Sequence, residues 1–206
     1  MIEFEKISDD AFLFPSLFSS RETIDITEEL LLGYNSFRFQ SEAEAKLRDP
    51  RWLALKKLGV GHGDNLKLLS YVPKLKLAIQ KAIKPPFEIE FARCNTNIQF
   101  KLQDSTFHND GYDAETNDDN HKIWSWTFLL FANTDWNTQW GGEFCYMDMK
   151  GNYKYVPYIP GNAVLFNGWL QHKGNAPNTM AEHVRASVAW TFCATDYMVD
   201  WKYPNI

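Results

Sequence analysis

From Phe87 onward the chain is a succession of short β-rich runs broken by turn residues, and such a succession leaves few folds open. The runs are FEIEFARCNTNIQF, IWSWTFLLFAN, EFCYMDM, YKYVPYI, NAVLFNG and RASVAWTFCAT. Asn133 to Asn137, Gly141-Gly142, Lys150-Gly151-Asn152, Pro160-Gly161 and Asn175-Ala176-Pro177 separate them, all residue types that reverse a chain. No βαβ alternation and no internal repeat interrupts the series. Antiparallel strands that must bury one face predict a double-sheet jelly roll, a double-stranded β-helix.

The residues before Phe87 read differently. Asp25 or Thr27 can cap a helix running through Glu28 and Glu29 to Leu32 and stopped by Gly33. A second helix is predicted over residues 41–58. Asp64 or Asn65 opens a third, its leucines at helical spacing until Pro85-Pro86, with Pro73 placed to kink or split it. The expectation is a mostly β, α+β chain with two regions in one structural domain. Residues 1–86 form a mainly helical support and residues 87–206 the jelly-roll core.

At 206 residues with 45% hydrophobic and 16% aromatic content, the chain can build a sizeable core. Its net charge of -5, with no dense basic stretch, lacks the footprint of a general nucleic-acid binder. The N-terminal MIEFEKISDD is acidic where a signal peptide is basic, and no run is long enough for a membrane span. A cytoplasmic protein with no membrane partner is the expectation. Cys94, Cys145 and Cys193 are widely spaced inside apolar segments, and read as buried free thiols.

Chemistry enters with His108, Asp110 and His172. In an extended chain His108 and Asp110 project to the same side, so both can reach one ion, and His172 arrives from a later strand end. Two neutral imidazoles and one carboxylate on one face of an octahedron make the facial triad that holds Fe(II) and leaves positions open. The pattern His-x-Asp also occurs at His62 and Asp64, but there a glycine-rich turn surrounds it and helix capping explains it. His121 and His183 lie in polar, loop-like stretches.

The ordered set FHNDG, WTFLLFAN, WGGEF, PGNAVLFNG, QHKG and RASVAW, over roughly residues 90–195, resembles the 2-oxoglutarate/Fe(II)-dependent oxygenases, in particular their prolyl 4-hydroxylase-like branch. The resemblance implies Fe(II) on His108, Asp110 and His172, 2-oxoglutarate as co-substrate, and ascorbate as a further candidate cofactor. It also implies hydroxylation of an unactivated C–H bond with release of succinate and carbon dioxide. No protein nucleophile is needed, so no catalytic residue is expected beyond the metal ligands. Dioxygen and a peptide or small-molecule substrate are the implied partners, a peptidyl proline being the family-based expectation.

In that frame Arg185 holds the distal carboxylate of 2-oxoglutarate, because a guanidinium fork matches a carboxylate, and Ser187 adds a hydroxyl from the same face of the strand. Arg93, Asn95, Asn97 and Gln99 alternate as a polar face on the first strand of the core, lining a pocket or facing solvent. Asn97 and Thr127 are expected to contact the co-substrate. Trp126 and Tyr112 are further candidates to approach the metal, Glu143 is read as structural, and the acidic loop 111–121 is a surface loop or a substrate lid. Two other readings stay open on the sequence: a cupin-type metal dioxygenase that does not use 2-oxoglutarate, and a non-catalytic jelly-roll binding module.

Overall fold

The computed structural model describes residues 2–32, 38–39, 54–59, 66–113 and 122–194. Within them every run expected to be a strand becomes one, because its alternating side chains have an apolar layer on at least one side. These are β5 (Ile89–Gln99), β8 (Ser125–Phe131), β9 (Phe144–Met147), β10 (Tyr153–Val156), β11 (Ala163–Asn167) and β13 (Arg185–Ala194). Three shorter strands complete this part: β6 (Tyr112–Asp113), β7 (Lys122–Ile123) and β12 (His172–Gly174).

The N-terminal region contributes to the sheets as well as to the helices. β1 (Glu5–Ser8) and β2 (Ala11–Phe14) form a hairpin, and β2 continues onto β11 with Leu13 opposite Val164. β3 (Arg38–Phe39) and β4 (Ala54–Gly59) extend the other edge, β4 pairing with β5 from Ala54–Ile98 to Gly59–Arg93. The helix expected over 41–58 is therefore replaced by a strand at 54–59, while 41–53 lie outside the described residues. Ala, Leu and Lys favour a helix locally, but the open edge of β5 offers a ladder of N–H and C=O partners that outweighs a few tenths of a kcal/mol per residue of propensity.

The helices also begin elsewhere than expected. α1 spans Ser20–Leu32, so Asp25 and Thr27 lie inside it. Its start is a capping box: the Ser19 backbone N–H donates to Glu22 Oε2 at 2.7 Å, and the Glu22 N–H donates to Ser19 Oγ at 3.2 Å. The third helix is split, as Pro73 implied, into α2 (Leu66–Leu69) and α3 (Val72–Ala82), with the proline in the first turn of α3. The Asp64 and Asn65 caps, the Gly33 stop, the His62–Asp64 turn and His121 fall outside the described residues.

The sheets are an eight-stranded antiparallel one in the order β1-β2-β11-β8-β13-β5-β4-β3, a three-stranded one in the order β10-β9-β12, and the small pair β6-β7. One core lies between the large sheet and the helices, built on Trp190, Phe192, Phe128, Leu130, Leu165, Ile26, Leu75 and Ile79. The other lies between the two larger sheets, around Phe131, Phe144, Tyr146, Tyr158, Val164 and Phe166. This is the double-stranded β-helix. All ten residues of β13 are buried although they alternate in polarity, because Ala186, Val188 and Trp190 face the helices while Arg185, Ser187 and Thr191 face the space between the sheets. That polar side is where the site lies.

Candidate metal centre and co-substrate pocket

His108 and His172 meet as an isolated antiparallel bridge. The His108 N–H donates to the His172 carbonyl at 3.0 Å, and the His172 N–H returns the bond at 2.8 Å. This backbone pairing sets the imidazole centroids 4.5 Å apart. Asp110 is fixed by its own N–H, which donates to the Gly168 carbonyl at 2.7 Å. One ligand atom from each of the three residues lies within 4.8 Å of the others, with His172 Nε2 and Asp110 Oδ2 at 3.7 Å.

The surroundings prepare these groups to ligate. His108 Nδ1 lies 2.9 Å from the Thr106 carbonyl and His172 Nδ1 lies 2.9 Å from the Leu170 carbonyl. A carbonyl only accepts, so each Nδ1 carries a proton, and the tautomer this selects in a neutral ring has its lone pair on Nε2. Burial between Phe144 and Phe166, together with repulsion from His108, pushes the His172 imidazolium down to about 4, which leaves the ring neutral at neutral pH. For Asp110, burial pushes the carboxyl up. His172, Arg93 and His108, with a hydrogen bond from the Thr127 hydroxyl, outweigh that burial and hold it below the usual carboxylate value. Two imidazoles and an ionised carboxylate form a donor set that suits Fe(II).

Arg185 forms the second focus. It is 2% exposed. Its Nε donates to the Gly142 carbonyl at 2.8 Å, and its Nη1 to Gln99 Oε1 at 2.8 Å and Ser187 Oγ at 3.2 Å. The guanidinium also lies 5.1 Å from the Tyr158 ring centroid. Nη2 is buried with no hydrogen-bond partner, and no carboxylate lies within 4 Å of the guanidinium among the described residues. A buried guanidinium with one free donor edge is costly on its own and fits an incoming carboxylate. Two glycines of the motifs permit this crowding: a Cβ on Gly142, whose φ is +83°, would stand 3.3 Å from Arg185 Cδ, and one on Gly174 would stand 2.9 Å from Gln99 Oε1.

The remaining expected contacts divide between the two foci. Asn97 sits directly across from Ser187 in the β5–β13 ladder, and its Oδ1 is buried without a partner. Thr127 is fully buried, 3.1 Å from the Thr191 hydroxyl and on the Asp110 side. Trp126 does not approach the metal: successive strand residues face opposite ways, so with Thr127 turned inward Trp126 packs on Phe12 in the helix-side core. The Tyr112 side chain and residues 114–121 of the acidic loop lie outside the described residues. Glu143 accepts from Asn175 Nδ2 at 3.3 Å and, without forming an ion pair, its charge favours the charged form of Arg185. Gln99 and Tyr158 carry more of the Arg185 environment than their sequence suggested. Gln99 was visible only as part of an alternating polar face, and Tyr158 carried no signal beyond strand propensity.

This double-stranded β-helix, which carries the His-Asp-His cluster and a buried arginine, is the fold of solved 2-oxoglutarate/Fe(II) oxygenases. Among solved structures, this chain is similar to a Pseudomonas putida prolyl-4-hydroxylase, with a TM-score of 0.66 and 16% identity over 91% of this chain and 94% of that one. It is also similar to a Trichoplax adhaerens prolyl hydroxylase in complex with a hypoxia-inducible factor peptide fragment, with a TM-score of 0.70 and 14% identity over 91% and 84%. HygX from Streptomyces hygroscopicus, solved with nickel and 2-oxoglutarate, gives a TM-score of 0.64 and 15% identity over 90% and 83%. No family model and no curated protein sequence matches the chain.

Proposed function

We propose that this protein is an Fe(II)- and 2-oxoglutarate-dependent dioxygenase that hydroxylates an unactivated C–H bond, with a peptidyl residue such as proline as substrate. The observation that carries the reading is the pair of foci inside one barrel: a His-Asp-His cluster whose imidazoles are tied to carbonyls through Nδ1, and a buried Arg185 with an unpartnered Nη2. His108, Asp110 and His172 would hold the metal. Arg185 and Ser187 would hold the distal carboxylate of 2-oxoglutarate, with Asn97 beside them on the neighbouring strand. When bound, the metal and co-substrate supply the oxidising power: one dioxygen and one 2-oxoglutarate give one hydroxylated product, succinate and carbon dioxide.

The chain's own contribution is to present two oriented imidazoles and a carboxylate, to orient the co-substrate from Arg185, and to keep water out through the apolar layer of Phe131, Phe144 and Phe166. All these residues fall within 87–206, which we take as the catalytic core supported by residues 1–86 in one structural domain. The peptide preference is supported by the prolyl hydroxylases among the similar structures. Cys94, Cys145 and Cys193, buried and unpaired, suit the reducing cytoplasm. None of the helices in the described residues is long and apolar enough to cross a membrane.

The test is anaerobic addition of Fe(II) and 2-oxoglutarate, which should give a visible metal-to-ligand charge-transfer band in the wild type and none in His108→Ala. A band that persists in the variant sinks the triad. Succinate release measured against proline-containing peptides and a panel of small metabolites then decides the substrate class, and turnover of metabolites alone would remove the peptide reading.

A further inference from the structure

Asp110 has two carboxylate oxygens, and the structure treats them differently. Arg93 Nη2 donates to Oδ1 at 3.2 Å and to the Asp110 backbone carbonyl at 3.0 Å, gripping the residue at two points. Oδ2 is turned the other way, 3.7 Å from His172 Nε2, on the side where the ligand nitrogens converge. The Arg93 and Asp110 side chains are 28% and 14% exposed, so the contact is shielded from the solvent competition that weakens surface ion pairs.

The strand is built to aim this arginine. β5 and β13 pair residue for residue from Arg185–Gln99 to Thr191–Arg93, but the next pair is Phe192–Phe91, so Ala92 is an extra residue on β5. This is a β-bulge, a device that re-aims side chains beside functional sites. In an unbroken strand residues 91 and 93 would share a face. The bulge uncouples them: Phe91 meets Phe192 edge to face at 6.0 Å against the helix-side core, while Arg93 turns with Thr191 toward Asp110.

We infer that Arg93 is a positioning residue that fixes Asp110 as a one-oxygen metal ligand, and that the bulge at Ala92 is what brings it there. The inference rests on the metal-site reading above. A carboxylate free to rotate can offer both oxygens, and the second would fill a coordination position that the co-substrate or dioxygen needs. With Oδ1 and the carbonyl held by one guanidinium nitrogen, only Oδ2 remains to bind.

The experiment compares wild type, Arg93→Met and Arg93→Lys by Co(II) titration, with the visible ligand-field absorption as a report of coordination number and urea unfolding as a check on the fold. Arg93→Met should bind Co(II) about 10- to 100-fold more weakly, the usual cost of losing a partner of a metal ligand, and with an altered spectrum. Arg93→Lys, which keeps a donor but not the planar fork, should fall between. Wild-type affinity and an unchanged spectrum in Arg93→Met would overturn the inference while leaving the metal reading intact. A wild type that takes up no Co(II) would overturn both. Should Arg93→Met fail to fold, Arg93→Lys decides: an altered spectrum supports the inference and an unchanged one ends it.

Discussion

At the scale of single residues, the site depends on how closely uncharged atoms are allowed to approach charged ones. Gly174 is the sharpest case, because a methyl group there would stand 3.1 Å from both Cζ and Nη1 of Arg185 and 2.9 Å from Gln99 Oε1. Gly174→Ala should leave the fold intact and displace the guanidinium, lowering 2-oxoglutarate affinity roughly tenfold, about 1.4 kcal/mol. Titration of the Fe(II)-loaded protein under anaerobic conditions measures it, and an unchanged affinity would mean that Arg185 does not hold the co-substrate. Arg185→Lys should cost at least as much, since an ammonium cannot span Gly142, Gln99 and Ser187 and still present a second edge to a carboxylate. The clustering of His108, Asp110 and His172 and the inward place of Arg185 were legible from the order of the motifs, with His172 and Arg185 each opening a strand. The place of Arg93 was not, since its direction comes from one extra residue in a strand register, and register is a property of two strands rather than of either sequence.

At the scale of elements, legibility tracks how local the causes are. β5, β8, β9, β10, β11 and β13 carry their own alternation and turn residues, so the sequence reveals them. β2 is a run of four residues, AFLF, that joins the sheet by pairing with β1 on one side and with β11, far along the chain, on the other, and β4 is written in helix-forming residues but pairs with β5. α1 was placed too late because the box formed by Ser19 and Glu22 precedes the apolar stretch that drew attention. Ser19→Ala removes that cap and should cost about 1 kcal/mol in urea unfolding. Trp190 couples elements more strongly: it is fully buried on β13, stacks on Phe18 at 5.8 Å, and donates from Nε1 to the Leu68 carbonyl at 3.1 Å. Trp190→Ala should cost about 3 to 5 kcal/mol. A loss below about 1 kcal/mol in the same unfolding experiment would show that the helices do not brace the sheet through this residue.

At the scale of the whole molecule, one sheet serves two incompatible purposes. Its helix side is apolar and supplies folding energy, while its inner side carries Arg93, Asn95, Asn97 and Arg185, each with a buried polar atom that no described group satisfies. Such atoms cost free energy in the unliganded protein, on the order of 1 to 3 kcal/mol for each unmet bond. A ligand that satisfies some of them binds the folded chain alone, because the unfolded chain does not gather residues as distant as Asp110 and Arg185. The stabilisation then follows mass action: at a ligand concentration one hundred times Kd it is about 2.7 kcal/mol, which for a chain of this size raises Tm by roughly 5 to 10 °C. Adding Ni(II) and then 2-oxoglutarate should therefore raise Tm in two steps. His108→Ala should lose both steps and Arg185→Ala only the second, because 2-oxoglutarate needs the metal to bind whereas the metal does not need Arg185. If 2-oxoglutarate produced its full shift in Arg185→Ala, the distal carboxylate would have to be held elsewhere in the barrel, and the unpartnered Nη2 would need another explanation.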